Sequence, residues 1–217
     1  MGDEYGRQAE KIITFEGWFK GMPGVTKFYM TLSLLGALLS AFEVITPLHL
    51  YLNADLILGK LEVWRLVSNL LYFGTSRQPL NYLFHSYFMY IYLRDLEDGV
   101  FRGKKAGLVY MFMLVASVLS TYALLMDPTI HFLSPAMLFL VLTVWCRKHQ
   151  GEVLTWFAVI QFDCGYLPWV LLLVSFCLYN NPVINLMGIA AGYFYSYVDS
   201  MWIFGTPLVL KALFGEM

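Results

Sequence analysis

Charged residues are scarce in this sequence of 217 residues. Asp, Glu, Lys and Arg make up 13% of the chain and hydrophobic residues 59%, whereas soluble domains carry about 25% charged residues. The formal net charge is −1, and no basic stripe points to nucleic acid. The composition therefore predicts an integral membrane protein with one membrane domain and little room for a soluble one.

Cysteine is also rare, and no cleavable signal peptide is recognisable. Cys146, Cys164 and Cys177 are an odd, scattered set without metal-ligand spacing, so we interpret them as apolar packing residues. The first 27 residues contain four acidic and four basic residues and no apolar run. We therefore expect membrane insertion to begin at the first apolar segment.

Six apolar runs, bounded by charge, glycine or proline, predict membrane-spanning helices. They cover residues 28–46, 79–93, 106–126, 130–146, 166–179 and 183–204. Eleven Lys and Arg residues lie on the side of both termini and three on the other side, so the positive-inside rule predicts cytosolic termini. The expected organisation is a cytosolic N-terminal segment 1–27, a six-span domain 28–204 and a short cytosolic tail 205–217.

Two features of this arrangement leave alternatives. Segment 153–165 is apolar enough to be a seventh span, but Asp163 and Gly165 separate it from the next run, so we expect an interfacial helix on the cytosolic face. Several spans of 14 to 17 residues reach only about 21–26 Å, less than a hydrocarbon core of about 30 Å. The shortfall predicts a locally thinned bilayer, unless the helices extend about two to four residues further.

The long segment between the first two spans, residues 47–78, contains an amphipathic pattern. In EVWRLVSNLLYFG (62–74), one helical face is apolar, and Trp64 and Arg65 lie beside it. The apolar residues are Val63, Leu66, Val67, Leu70 and Leu71. Such a helix lies in the interface, with its indole at headgroup depth and its guanidinium reaching phosphates or backbone carbonyls. By itself, the motif is explained fully by an aromatic anchor at the membrane interface and a snorkelling arginine.

Five segments carry, in order, a resemblance to a known family. WRLVSNLLYFG after the first span resembles the Trp-Arg motif of rhomboid-like proteins. The others resemble derlins: GWFKGMPGVTKFY (17–29), YLRDLEDGVFRGKK (92–105), VLTVWCRKH (141–149) and GYLPWVLL (165–172). The resemblance, from about residue 15 to 204, implies an all-α integral membrane fold. That fold is a rhomboid-like bundle of six transmembrane helices with a lumenal interfacial loop between spans 1 and 2.

Rhomboid-type folds include intramembrane serine proteases, which need a nucleophilic serine on span four and a histidine on span six. Span four offers Ser134 without a flanking glycine, and span six contains no histidine. Tyr193 follows Gly192 where the protease base is expected, and a tyrosine with a pKa of about 10 is a poor general base at neutral pH. We therefore expect a pseudoprotease that lacks the serine–histidine dyad and has no catalytic residues.

Span six contains LMGIAAGYFYSYVDS (186–200), in which Gly188 and Gly192 remove two side chains from one face. This notch predicts close packing with another helix, expected to be span four near its small residues Ser134 and Ala136. A packing joint explains the glycines fully, and the resemblance adds that this helix pair lines a cavity. The candidate polar lining is Ser134, Tyr193, Tyr195, Tyr197 and His85; packed tyrosines and a satisfied core histidine are the alternative.

The derlin resemblance implies a multi-pass protein of the endoplasmic reticulum membrane that assists misfolded proteins back to the cytosol for degradation. The implied partners are misfolded clients, a membrane ubiquitin ligase complex, the lipid bilayer and a cytosolic AAA ATPase. Because the chain ends in KALFGEM without a recruitment motif, we expect the ATPase to be reached through a partner subunit. The sequence does not distinguish a monomer from a homo- or hetero-oligomer.

Two other classes of function are weighed against this expectation. A small-molecule or ion transporter or channel needs paired intramembrane charges or broken helices in two matching halves, and the sequence contains no such repeat. A surviving intramembrane serine protease is the third alternative. No cofactor or metal is expected, since neither a Walker motif nor a ligand cluster is present in the sequence.

Overall fold

The computed structural model describes residues 15–73, 79–127, 129–156, 160–178, 181–200 and 207–216. Within these ranges the protein is mostly helical, as the sequence predicts. Several predicted features lie partly outside the described residues. They are the N-terminal segment before residue 15, residues 74–78 between spans one and two, residues 157–159 of segment 153–165, residue 179 of span five, residues 201–204 of span six, and residues 205, 206 and 217 of the tail.

Ten α-helices follow one another in the described part of the chain. They are α1 Phe15–Lys20, α2 Gly24–Ala41, α3 Ala54–Lys60, α4 Arg65–Leu71, α5 Pro79–Asp95, α6 Lys105–Leu125, α7 Ser134–Lys148, α8 Leu167–Cys177, α9 Pro182–Ser200 and α10 Leu208–Leu213. The six longest helices overlap the six predicted spans. Two of them, α2 and α6, are long and apolar enough to cross a membrane by length and composition.

The prediction of an interfacial helix within residues 153–165 is wrong. Strands β1 Val153–Trp156 and β2 Ile160–Asp163 pair as an antiparallel hairpin, with Val153 opposite Asp163. β-branched and aromatic residues, which are frequent in these strands, favour extended structure. Each strand has four residues and reaches about 13 Å, so the hairpin is not a seventh membrane-spanning helix.

Helix α7 forms the centre of the fold. Every side chain from Met137 to Cys146 is buried, and a helix that is buried on all sides needs apolar residues around its whole circumference. The sequence of α7 meets this requirement. The helix packs against α5, α8 and α9, and its contact with α9 is the most extensive between any two described elements.

The segment between α2 and α5, described over residues 42–73, folds around two short helices, and we call it the α4 loop. The Asn53 side chain accepts a 3.0 Å hydrogen bond from the Leu56 amide and so begins α3. The helix expected within residues 62–74 is observed as α4, with Leu66, Leu70 and Leu71 packed against the core. The segment therefore has internal structure of its own and does not form a simple loop.

Candidate functional site: the α7–α9 joint and the α4 loop

Gly188 and Gly192 bring α9 into direct contact with α7. A Cβ atom at position 188 would lie 2.2 Å from the carbonyl oxygen of Ala136, and one at position 192 would lie 2.6 Å from Cβ of Thr143. Real Cβ atoms do not approach other atoms this closely. Small residues at a crossing allow two membrane helices to pack against each other's backbones. The notch is therefore filled by α7.

Polar contacts join the ends of the same helices. Lys148 at the end of α7 forms a 2.6 Å ion pair with Asp199 on α9. The Arg147 guanidinium lies 5.8 Å from the ring centre of Tyr193. Because these contacts are partly exposed, each contributes little by itself, and the glycine contacts dominate the joint.

Ser134 is buried at the start of α7, where it serves as a structural donor. Its hydroxyl donates a hydrogen bond to the backbone carbonyl of Tyr72, just after α4. Next to it, the amide of Leu133 donates to the carbonyl of Asn69 at 3.2 Å. A nucleophilic serine needs a base beside its hydroxyl, and here the acceptor is a backbone carbonyl. Ser134 thus fastens α7 to the α4 segment.

The three tyrosines of α9 do not form one wall. Tyr195 is 6% exposed, whereas Tyr193 is 39% and Tyr197 60% exposed. Residues two apart on a helix are separated by about 200° around its axis, which places Tyr195 on a different side from the other two. The row predicted as one polar lining is therefore divided between two environments.

His85 lies on α5 and is enclosed in the core. Its Nδ1 atom lies 2.9 Å from the carbonyl oxygen of Asn81, and its ring stacks on Phe73 with 5.4 Å between centroids. Phe84 contacts the ring with its edge. With 1% of its surface exposed, His85 has the surroundings of a packed core residue.

Arg65 holds the α4 loop together. Its Nη1 atom donates to the carbonyls of Leu48 and Tyr51, at 2.8 and 3.1 Å. Its Nε and Nη2 atoms contact the Glu62 carboxylate at 2.7 and 2.6 Å. The planar guanidinium suits such divergent acceptors better than a lysine ammonium. A side chain that is 3% exposed thus connects three points of one loop.

The Trp64 side chain is exposed, unlike that of its neighbour Arg65. It is 55% exposed, and Val63 and Val67 nearby are 59% and 56% exposed. These three side chains make one face of the segment apolar and accessible. Of the predicted Trp-Arg motif, the arginine stabilises the loop internally and the tryptophan lies on its surface.

Glu97 is a buried site residue that sequence reasoning missed. It lies in the π-helical turn Leu96–Val100 after α5 and is 2% exposed. Its carboxylate accepts hydrogen bonds from the Val25 amide at 2.9 Å and from the amide and hydroxyl of Thr26, both at 2.8 Å. The first amides of a helix lack partners within it, and the helix dipole favours a negative charge there. Glu97 therefore caps α2.

We expect Glu97→Ala to lower the free energy of unfolding by about 2–4 kcal/mol, because it leaves buried donors of Thr26 unpaired. Glu97→Gln, which keeps one acceptor oxygen, should lose about half as much. The control is Asp98→Asn, whose side chain is 58% exposed and which should change stability by less than about 0.5 kcal/mol. Thermal unfolding of the purified variants in detergent measures the differences. Equal stability of Glu97→Ala and Asp98→Asn would contradict the cap.

A groove of about 750 Å³ runs between α2, α4 and α6, with Met137 of α7 also in its wall. Its lining is apolar apart from Tyr29 and three hydroxyl residues of α6, Ser117, Ser120 and Thr121. None of the five residues predicted as polar cavity lining borders this groove. The groove is therefore distinct from the predicted hydrophilic cavity.

Known proteins resemble this chain over most of its length. A sequence model of the Der1-like family matches residues 22–208. The chain is 33% identical to Derlin-2.1 of Zea mays, over 93% of this chain and 86% of that protein. It is also 33% identical to Derlin-2.2 of Arabidopsis thaliana, over 93% and 88%, and 32% identical to Derlin-1 of Caenorhabditis elegans, over 86% and 76%. The derlin motifs, the apolar helices and these matches agree, and the chain belongs to the Der1-like family of membrane-associated proteins.

Proposed function

We propose that this protein is a non-catalytic component of endoplasmic-reticulum-associated degradation that helps misfolded proteins return to the cytosol. The observation that carries the proposal is the match to the Der1-like family over residues 22–208, with derlin relatives aligned over 93% of the chain. The protein acts as a multi-pass protein of the endoplasmic reticulum membrane with both termini in the cytosol. Its six long helices are six spans.

The proposed mechanism depends on short helices. Helix α7 has 15 residues and α8 has 11, which correspond to about 22 and 17 Å, against about 30 Å for a hydrocarbon core. Because α7 is enclosed by protein from Ala136 to Cys146, the mismatch with lipid arises at α8. The Trp169, Leu173 and Phe176 side chains of α8 are exposed, and lipid beside them thins. Because a peptide amide without a partner costs several kcal/mol in hydrocarbon, a shorter lipid path lowers the barrier for a polar client. The exposed rings of Tyr193 and Tyr197 lie on the side of α9 where we propose the polar part of the path.

In this proposal, partner proteins select the client and supply the force that extracts it. The chain contributes no nucleotide-binding motif, so a cytosolic AAA ATPase, recruited through a partner subunit, extracts the client. A membrane ubiquitin ligase complex marks it. The Ser134 hydroxyl is held by the Tyr72 carbonyl, which supports a role for this residue in packing and a pseudoprotease without peptide cleavage.

A degradation chase of a misfolded lumenal reporter, in cells without their own derlins, tests the proposal. The wild-type protein should restore turnover. The double variants Trp64→Ala/Arg65→Ala and Gly188→Val/Gly192→Val should lose most of it while still inserting, because they disrupt the α4 loop and the α7–α9 joint. Gly59→Ala is the matched control, since a Cβ there has no neighbour within 4 Å. A reporter that stays stable beside well-expressed wild-type protein overturns the proposed function.

A further inference from the structure

The groove between α2, α4 and α6 separates the two helices that meet the criteria for membrane spans. Val25 and Phe28 of α2 lie on one wall, and α6 contributes residues from Val109 to Leu124 on the other. Met113, Ser117 and Thr121 along this wall are exposed. In a membrane-associated protein, a groove bounded by two such helices has lipid as its surrounding solvent.

The groove is long enough for an extended hydrocarbon chain. From Val109 to Leu124 the wall of α6 rises by about 22 Å, and the groove has a volume of about 750 Å³. One acyl chain can lie along this wall.

The chemistry of the groove lining also favours a hydrocarbon chain. The Ser117 hydroxyl donates to the carbonyl of Leu114, and the Thr121 hydroxyl donates to the carbonyl of Ser117, each at 2.7 Å. Both donors are thus already used within α6, the Tyr29 hydroxyl donates to the Leu70 carbonyl at 2.7 Å, and Ser120 is buried. No lining residue carries a charge. An extended peptide would leave its backbone amides without partners in such a groove, whereas an acyl chain has none to satisfy.

Lys105 lies at one end of the groove. It begins α6, one turn before Val109, and its Nζ atom and the Glu97 Oε1 atom would each lie 3.9 Å from a Cβ atom added at Gly24, the first residue of α2. Both carboxylates at this end accept hydrogen bonds from backbone amides, Glu97 from α2 and Glu216 from Ala106 at 3.0 Å. Lys27 donates to the Lys20 carbonyl at 3.4 Å. Lys105 is exposed and stands where a lipid phosphate would lie.

We propose that this groove binds an anionic glycerophospholipid, with one acyl chain along α6 and its phosphate at Lys105. The bound chain fills the space between α2, α4 and α6. The site is independent of client transport, and it makes the protein sensitive to the anionic lipid content of its membrane.

Photo-crosslinking in lipid nanodiscs tests the site with purified full-length protein. The discs contain phosphatidylcholine and a minor fraction of phosphatidylinositol with a diazirine on one acyl chain, and labelled residues are located by mass spectrometry. The wild-type protein should be labelled at Phe112, Met113 and Ser117. Ala116→Trp, which fills the groove, should reduce this labelling to the level of bulk lipid. Val118→Trp is the control, because Val118 is 53% exposed and does not line the groove.

A second set of variants tests the role of the lipid headgroup. Lys105→Gln should lower labelling by the phosphatidylinositol probe about fivefold, the change expected for one lysine at a membrane surface, and leave labelling by a phosphatidylcholine probe unchanged. Lys60→Gln, which removes an exposed lysine from α3, should change neither. Labelling that is equal in wild type and Ala116→Trp, or equal for both headgroups in wild type, overturns the proposal.

Discussion

Adding one methyl group at Gly188 is expected to destabilise the protein by about 3 kcal/mol or more, although alanine is the stronger helix former. The new Cβ would lie 2.2 Å from the carbonyl oxygen of Ala136 and 2.8 Å from its Cα. Both atoms belong to the backbone and cannot rotate away, so α9 has to move off α7. Since α7 is buried from Ala136 to Cys146, that movement disturbs the centre of the fold.

Thermal unfolding of the purified Gly188→Ala variant in detergent measures this loss. The matched control is Gly59→Ala in α3, where an added Cβ meets nothing within 4 Å and where stability should rise by up to about 1 kcal/mol. The same chemical change is therefore expected to have opposite signs at the two positions. If both variants unfolded at the same temperature, the α7–α9 contact would not be the rigid joint described above.

Replacing Arg65 with alanine is expected to cost about 3–5 kcal/mol, because it breaks a buried ion pair from one side. Two backbone carbonyls, of Leu48 and Tyr51, and the Glu62 carboxylate lose their donor together. Arg65→Lys keeps the charge without the planar fork, so it should recover less than about half of the loss. The damage should be greatest in the segment between α2 and α4.

Limited proteolysis alongside thermal unfolding distinguishes local from global damage in Arg65→Ala. Cleavage within residues 47–60 should become faster than in the wild type, since the arginine fixes this stretch to α4. Arg94→Ala is the control, because Arg94 is 48% exposed and 3.7 Å from Asp98, a geometry that contributes less than about 1 kcal/mol. Equal protease resistance of the two alanine variants would refute the bracing role of Arg65.

Features that depend on neighbouring residues were predictable from the sequence. Apolar runs identified the six long helices to within a few residues, since each run contains its own helical signal. The two glycines on α9 are four residues apart and so mark one face without knowledge of the partner helix. The α4 helix followed from the spacing of Leu66, Leu70 and their neighbours.

Features that depend on distant or very short segments were not predictable. Val153–Trp156 and Ile160–Asp163 are each four residues long, and periodicity does not separate helix from strand in so short a run. Glu97 lies in a charged stretch that is typical of a solvated loop, and its hydrogen-bond partners are 71 and 72 residues away. No local sequence pattern predicts a contact between residues so far apart in the chain.

The cap of α2 by Glu97 also bears on the order of events during synthesis. Thr26 leaves the ribosome 71 residues before its acceptor, which at about 5–20 residues per second is about 4–14 s. During that interval the first turn of α2 has only water or lipid headgroups to accept its hydrogen bonds. The first apolar helix therefore acquires its final start point only after α5 has been made, which couples the completion of one helix to the arrival of another.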